Sequence, residues 1–133
     1  MNRIFLFLLI ALTPAFISRG FSQSVAGILT FEDSKHNFGF VKEGTVVNME
    51  FKFKNTGTAP VIIQETKVSC GCTKVDFSEE PILPGQSGVI KVSFNTRDKY
   101  DRQDRTVQVI SNAKGSPQDL RFKGVVQKDK SKD

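Results

Sequence analysis

The sequence predicts an all-β domain, an antiparallel sandwich of two sheets with about seven short strands. Three observations lead there. Apolar residues recur with period two, and no long stretch follows the helical period. The strand-like runs are short and are divided by Gly, Pro and Asn turns. At 133 residues the chain has room for one core, and strands with one polar face each suit two sheets packed face to face.

The runs can be taken in order. Residues 28–32 and 37–41 form two short ones. Val47, Met49, Phe51 and Phe53 then alternate with Asn48, Glu50, Lys52 and Lys54, which reads as a half-buried strand. Asn55-Thr56-Gly57 ends it as a turn. Val61, Ile62 and Ile63 open the next strand, which runs toward Val68. Ile90, Val92 and Phe94 alternate with Lys91 and Ser93, and Val107 and Val109 with Thr106 and Gln108. Leu120 and Phe122 alternate with Arg121 and Lys123, and Val126 continues their face. Glu43-Gly44, Pro84-Gly85, residues 112–115 and Ser116-Pro117 supply the remaining turns. The sandwich is expected over 25–127, followed by a solvated charged tail at 128–133.

Residues 1–22 read as a signal peptide. Arg3 is the positive start, 4–17 is apolar apart from Thr13 and Pro14, and Gly20 and Ser22 are small exit residues. The apolar run is about 14 residues, short of the ~20 that span a bilayer as a helix. The expected location is therefore the periplasm or outside the cell, with no stable membrane span once the leader is removed. The leader carries Arg3 and Arg19 and no acids, so the formal charge falls from +5 to +3 without it. Much of the basicity goes with the leader, and so does the case for a nucleic-acid partner.

Several motifs in fixed order carry a family resemblance. They are Phe38-Gly39 with Val41 and Glu43-Gly44, then Phe51-x-Phe53-x-Asn55-x-Gly57, then Ser69-Cys70-Gly71-Cys72-Thr73. Pro81-Ile82-x-Pro84-Gly85, Val92-x-Phe94, Ser111-Asn112-Ala113 and Phe122-x-Gly124-x-Val126 follow. The chain resembles a bacterial exported family of unknown function with a Cys-Gly-Cys-Thr signature, over about residues 27–126. That resemblance implies an immunoglobulin-like sandwich related to major-sperm-protein and hydin domains, and it brings no activity. In one place the chain departs from the expected pattern. After Asn95-Thr96 a Gly-containing hairpin is expected, whereas 97–105 is charged and Gly-free.

Cys70 and Cys72 are both cysteines of the chain, and Gly71 separates them. In an oxidising compartment a disulfide must be considered. Side chains two apart in a flat strand stand roughly 6–7 Å apart, given the ~3.3 Å rise, whereas bridged Cβ atoms want about 3.8 Å. The backbone must bend, which Gly71 permits. Four readings stay open: buried cysteines chosen for packing, a strained disulfide of local structural role, a redox-active dithiol, and a soft-metal site such as Cu(I). A complete zinc site would need more ligands than this chain offers, because His36 is the only histidine.

Other constellations carry less. Asp98, Asp101 and Asp104 are interleaved with bases and do not follow calcium-loop spacing. Arg97, Lys99, Tyr100, Arg102 and Arg105 are binding-loop candidates in a solvated hairpin tip. Glu79 and Glu80 are adjacent and point apart. No serine or threonine has a histidine base to activate it, and the glycines are spread as turns rather than gathered into a phosphate loop. The chain reads as an exported, non-catalytic binding or structural module without a cofactor. Its expected partners are envelope proteins, met through loops or a sheet edge. The alternative is thiol redox or Cu(I) handling at Cys70 and Cys72.

Overall fold

The structure is a computed structural model that describes residues 25–132. The leader predicted over 1–22 lies outside the described residues. Eight strands follow one another: β1 (Leu29–Phe31), β2 (Lys35–Lys42), β3 (Val46–Asn55), β4 (Ile63–Val68), β5 (Thr73–Asp76), β6 (Ser87–Asn95), β7 (Asp101–Ser111) and β8 (Gln118–Gln127). They build two four-stranded sheets, ordered β1-β3-β6-β5 and β2-β8-β7-β4. A short 3-10 turn, Lys130–Lys132, follows β8.

The period-two pattern fixes which residues lie between the sheets. Met49, Phe51 and Phe53 of β3 face inward together with Ile90, Val92 and Phe94 of β6. Val107 and Val109 of β7 and Leu120 and Phe122 of β8 meet them from the other sheet. Burying each such side chain is worth about 1.5–3 kcal/mol relative to leaving it exposed. Phe38, Phe94 and Phe122 form an aromatic cluster across the sandwich, with ring centroids 5.3–6.4 Å apart. Such tilted ring pairs add to the burial term.

Four features differ from the sequence expectation. First, β5 is an additional strand. With four residues and only Val75 apolar, it is too short to show a period. Second, β2 pairs parallel to β8, whereas every other strand pair is antiparallel. After β1, residues 32–34 carry the chain across to the second sheet instead of into a hairpin, and Asp33 accepts the Lys35 N–H at 2.8 Å. Alternation reports which face a residue takes and is silent on the direction of the neighbouring strand. Third, β4 begins at Ile63, while Val61 forms an isolated bridge to Ile82. Fourth, the charged stretch 97–105 is not one hairpin tip, because β7 starts at Asp101. Asp98 (φ 57°) and Asp101 (φ 62°) take the left-handed conformations for which a glycine was expected. Aspartate tolerates that region better than most residues.

A bulge in β2 decides which way its two phenylalanines point. The pairing with β8 shifts register between Asn37 and Gly39. Gly39 has φ +71°, and its N–H donates to the Asn37 side chain at 2.9 Å. Phe38 therefore turns inward onto the aromatic cluster, while Phe40 turns out to solvent with 73% of its surface exposed. The Phe38 ring lies over Gly124 of β8, where a Cβ would collide with it. At the end of the sandwich that carries Asn55, this fully buried residue donates to the carbonyls of Ala59 (2.9 Å) and Ile82 (2.8 Å) and accepts from the N–H groups of Gly57 and Ile28.

Asn55→Ala is expected to cost about 2–4 kcal/mol, since each buried polar group left without a partner costs about 1–3 kcal/mol. Denaturant unfolding followed by circular dichroism measures it. A loss below about 1 kcal/mol would show that water replaces the side chain.

Candidate functional site

Two regions bring chemistry-bearing residues together. The first is the end of the sandwich where β4 of one sheet crosses to β5 of the other. The crossing segment is Ser69-Cys70-Gly71-Cys72. Cys70 and Cys72 are joined in a disulfide with their Cα atoms 5.2 Å apart. That separation is shorter than the roughly 6.6 Å spanned by two steps of a flat strand at ~3.3 Å each. Both cysteines are half-buried, and Gly71 between them is exposed. The turn is held by the Thr73 N–H donating to the Cys70 carbonyl (3.2 Å) and the Asn95 N–H donating to the Cys72 carbonyl (2.9 Å). The Cys72 N–H also donates to the Cys70 sulfur at 3.1 Å.

The loop between β6 and β7 stands beside this turn. Thr96 is fully buried, and its hydroxyl donates to the Thr45 carbonyl at 2.6 Å. The Arg97 N–H donates to the Asn95 side chain at 3.0 Å, and the Asp98 N–H to the Glu43 carboxylate at 3.3 Å. These bonds hold the loop so that Arg97 lines the same cleft as Gly71 and Cys72. A cleft of about 380 Å³ is lined by Val46, Gly71, Cys72, Lys74, Arg97 and Asp98, among others. The fold thus brings together Cys72 and the basic loop, which are 25 positions apart in the chain.

The binding-loop candidates do not stay together. Arg97, Lys99 and Tyr100 lie in the loop, and Tyr100 is 45% exposed. Arg102 and Arg105 belong to β7, which corrects their placement in a hairpin tip. Arg105 lies over the Phe94 ring, 5.9 Å from its centroid, and donates to Gln103 at 2.9 Å, so it caps the core. Arg102 sits on the outer face of β7, across Val125 from Phe40.

That outer face is the second region. β2 is an edge strand, paired only with β8 along its eight residues. Phe40 shares a shallow pocket of about 280 Å³ with Asn37, Arg102, Lys123 and Val125. The charged side chains lining it are both basic. Farther along, Arg121 donates to Asp104 at 2.7 Å. That hydrogen bond, helped by the charges of Arg121, Lys123 and Arg102, holds the Asp104 carboxyl below its ordinary range. The Arg121 guanidinium is correspondingly held above its own. Sequence reasoning missed Phe40 as a surface residue. The available signal was Gly39, since a glycine inside a strand marks a bulge.

The remaining candidates stay apart. His36 packs edge-on to Phe51, with centroids 6.3 Å apart, in a cleft of about 770 Å³ whose other walls include Met49, Val75 and Val92. Glu79 and Glu80 are exposed. Among the described residues no three His, Cys, Asp or Glu side chains gather as a metal site.

The fold and this arrangement define an immunoglobulin-like β-sandwich with a loop-borne disulfide at one end and an open sheet edge alongside. The chain belongs to the family described as protein of unknown function DUF1573, whose pattern matches residues 29–126. The structure is similar to a protein of unknown function from Porphyromonas gingivalis W83, at TM-score 0.68 and 14% identity, over 78% of this chain and 50% of that one. It is similar to PapD-like domain 7 of human CEP192, an ASH domain, at TM-score 0.56 and 10% identity, over 88% of this chain and 96% of that one. It is also similar to the VesB protease of Vibrio cholerae, at TM-score 0.58 and 15% identity, over 74% of this chain and 31% of that one. At these identities the likeness shows the fold alone. The chain spans half the length of the Porphyromonas protein and under a third of the protease. No curated protein matches the sequence.

The bridge encloses one intervening residue, so its removal is expected to cost little stability. Replacing both cysteines by serine should lower the unfolding free energy by about 1.5 kcal/mol or less, as loop-closure entropy for so small a ring gives. Denaturant unfolding of the oxidised chain against the double variant checks this. A loss above about 3 kcal/mol would make the bridge a staple of the fold.

Proposed function

We propose that this chain is an exported, non-catalytic binding module of the cell envelope. Its partner is a protein that adds an extended, acidic segment to the open edge of β2. The observation that carries the reading is Phe40, 73% exposed on an unpaired strand edge and flanked by Arg102 and Lys123. An edge strand offers unpaired N–H and C=O groups to a second chain. Strand addition uses them for affinity, and the side chains alongside set specificity. An aromatic anchor with basic neighbours suits a segment that carries an apolar residue and carboxylates. The leader read over 1–22 supports placement in the periplasm or outside the cell. There the partners are envelope proteins rather than nucleic acid, and no cofactor is needed for recognition.

A second reading, thiol redox or Cu(I) handling, has the half-buried Cys70–Cys72 disulfide in its favour. For Cu(I) the bridge must first be reduced, because thiolates are the ligands and disulfide sulfurs are not.

The test is affinity purification from the envelope of the native cell, comparing wild type with Phe40→Asp, Arg102→Glu and, on the opposite sheet, Lys52→Glu. The same protein should accompany wild type and Lys52→Glu. It should fall about tenfold with Phe40→Asp, as loss of a central anchor gives. Retention by Phe40→Asp, with its melting temperature unchanged, would refute recognition at this edge. Recovery of the chain in the cytoplasm with residues 1–22 intact would refute export.

A further inference from the structure

The two sulfurs of the disulfide are not equivalent. Cys72 lines the cleft with Lys74 and Arg97, and Cys70 is not part of its wall. The Cys70 sulfur instead receives the Cys72 N–H at 3.1 Å. An N–H aimed at sulfur is worth most when that sulfur carries a full negative charge. A thiolate attacking a disulfide bonds to one sulfur and expels the other, and a stabilised leaving thiolate leaves faster. Apart from its two chain neighbours, no residue lies within 4 Å of the position a side chain would take at Gly71, so the outer side of the turn is uncovered, while Cys72 also packs against the core.

We propose that Cys70–Cys72 is a thiol–disulfide exchange site whose substrate is a vicinal dithiol on a protein partner. Cys72 is the sulfur attacked and Cys70 the one that leaves. One substrate thiol, as thiolate, forms a bond to the Cys72 sulfur, and the Cys70–Cys72 bond breaks. The electron pair goes to the Cys70 sulfur, which the Cys72 N–H stabilises until it takes a proton. The second substrate thiolate then attacks its own neighbour's sulfur and releases Cys72. Two electrons and two protons pass to the pair, and the substrate is left as a disulfide. Lys74 and Arg97 attract the incoming thiolate, with Asp98 as the opposing charge on the wall, and Val46, 51% exposed, offers an apolar seat beside it. The proposal rests on the second reading given above, thiol redox at this pair, and not on recognition at β2, so its failure would leave the binding reading standing.

The probe is reduced glutathione, an anionic monothiol that has no second thiol to complete the exchange, so the maleimide pulse traps Cys70 before it re-forms the bridge. The oxidised chain is mixed with it, pulsed with N-ethylmaleimide, quenched in acid and mapped by peptide mass spectrometry. Glutathione is expected on Cys72 and maleimide on Cys70, by about tenfold over the reverse, given the leaving-group dependence of exchange. Lys74→Glu with Arg97→Glu should slow the reaction about threefold or more at low salt, with far-UV circular dichroism confirming that the variant is folded. The reverse labelling, or equal labelling, would overturn the assignment of the two sulfurs. A bridge that resists millimolar dithiothreitol in the folded chain and yields only in guanidinium would overturn the exchange site itself.

Discussion

The bulge at Gly39 is the constraint on which the arrangement turns. In a flat strand Phe38 and Phe40 would share a face. One extra residue, held by the Asn37 side chain and a positive φ at Gly39, sends them to opposite faces. Phe38 then reaches Phe94 and Phe122 and ties β2 into the core, while Phe40 is left outside. Gly124 is the matching requirement on β8, since any side chain there would occupy the place of the Phe38 ring. The docking of Phe38 into the core and the exposure of Phe40 on the outer face of β2 rest on this local geometry.

The ends of the sandwich divide the work. At one, Asn55 spends its side-chain hydrogen bonds on four backbone groups, which leaves a closed, structural cap. At the other, the backbone bonds from Asn95 to Cys72 and from Thr96 to Thr45 bring three turns together and leave Cys72 and basic side chains lining a cleft. β2 runs toward this second end, where the Thr96 hydroxyl also lies 3.4 Å from the Lys42 carbonyl. The Lys42 end of β2 and the disulfide therefore lie at the same end of the sandwich, although β2 and β4 are opposite edges of their sheet.

Much of the sandwich was legible in the sequence because burial on one sheet face imposes period two. Met49 to Phe53, Ile90 to Phe94 and Leu120 to Phe122 are written that way, and the structure buries them. Strand direction was not legible, because a parallel and an antiparallel neighbour ask the same alternation of β2. β5 was hidden by its length, and the start of β7 by charge, since Arg102 and Asp104 face solvent on a strand as freely as in a loop. The cysteine pair could be read as a pair, but its proximity to Arg97 is a contact between distant segments that no local spacing encodes. Phe40 was obscured for a related reason. Its exposure depends on the backbone conformation of the residue before it.

The most direct measurement is residue-resolved amide hydrogen exchange along β2 in the dilute, isolated protein. The account predicts protection of the β2 amides that face β8, with the outward-facing ones exchanging near the rate of an unstructured chain except where a side chain accepts the N–H, as Asp33 does from Lys35 and Asn37 from Gly39. Protection of every β2 amide would mean the edge is already covered. Loss of protection throughout β2 would mean the strand is not docked through Phe38. Either result would contradict an open recognition edge held in place by the Gly39 bulge.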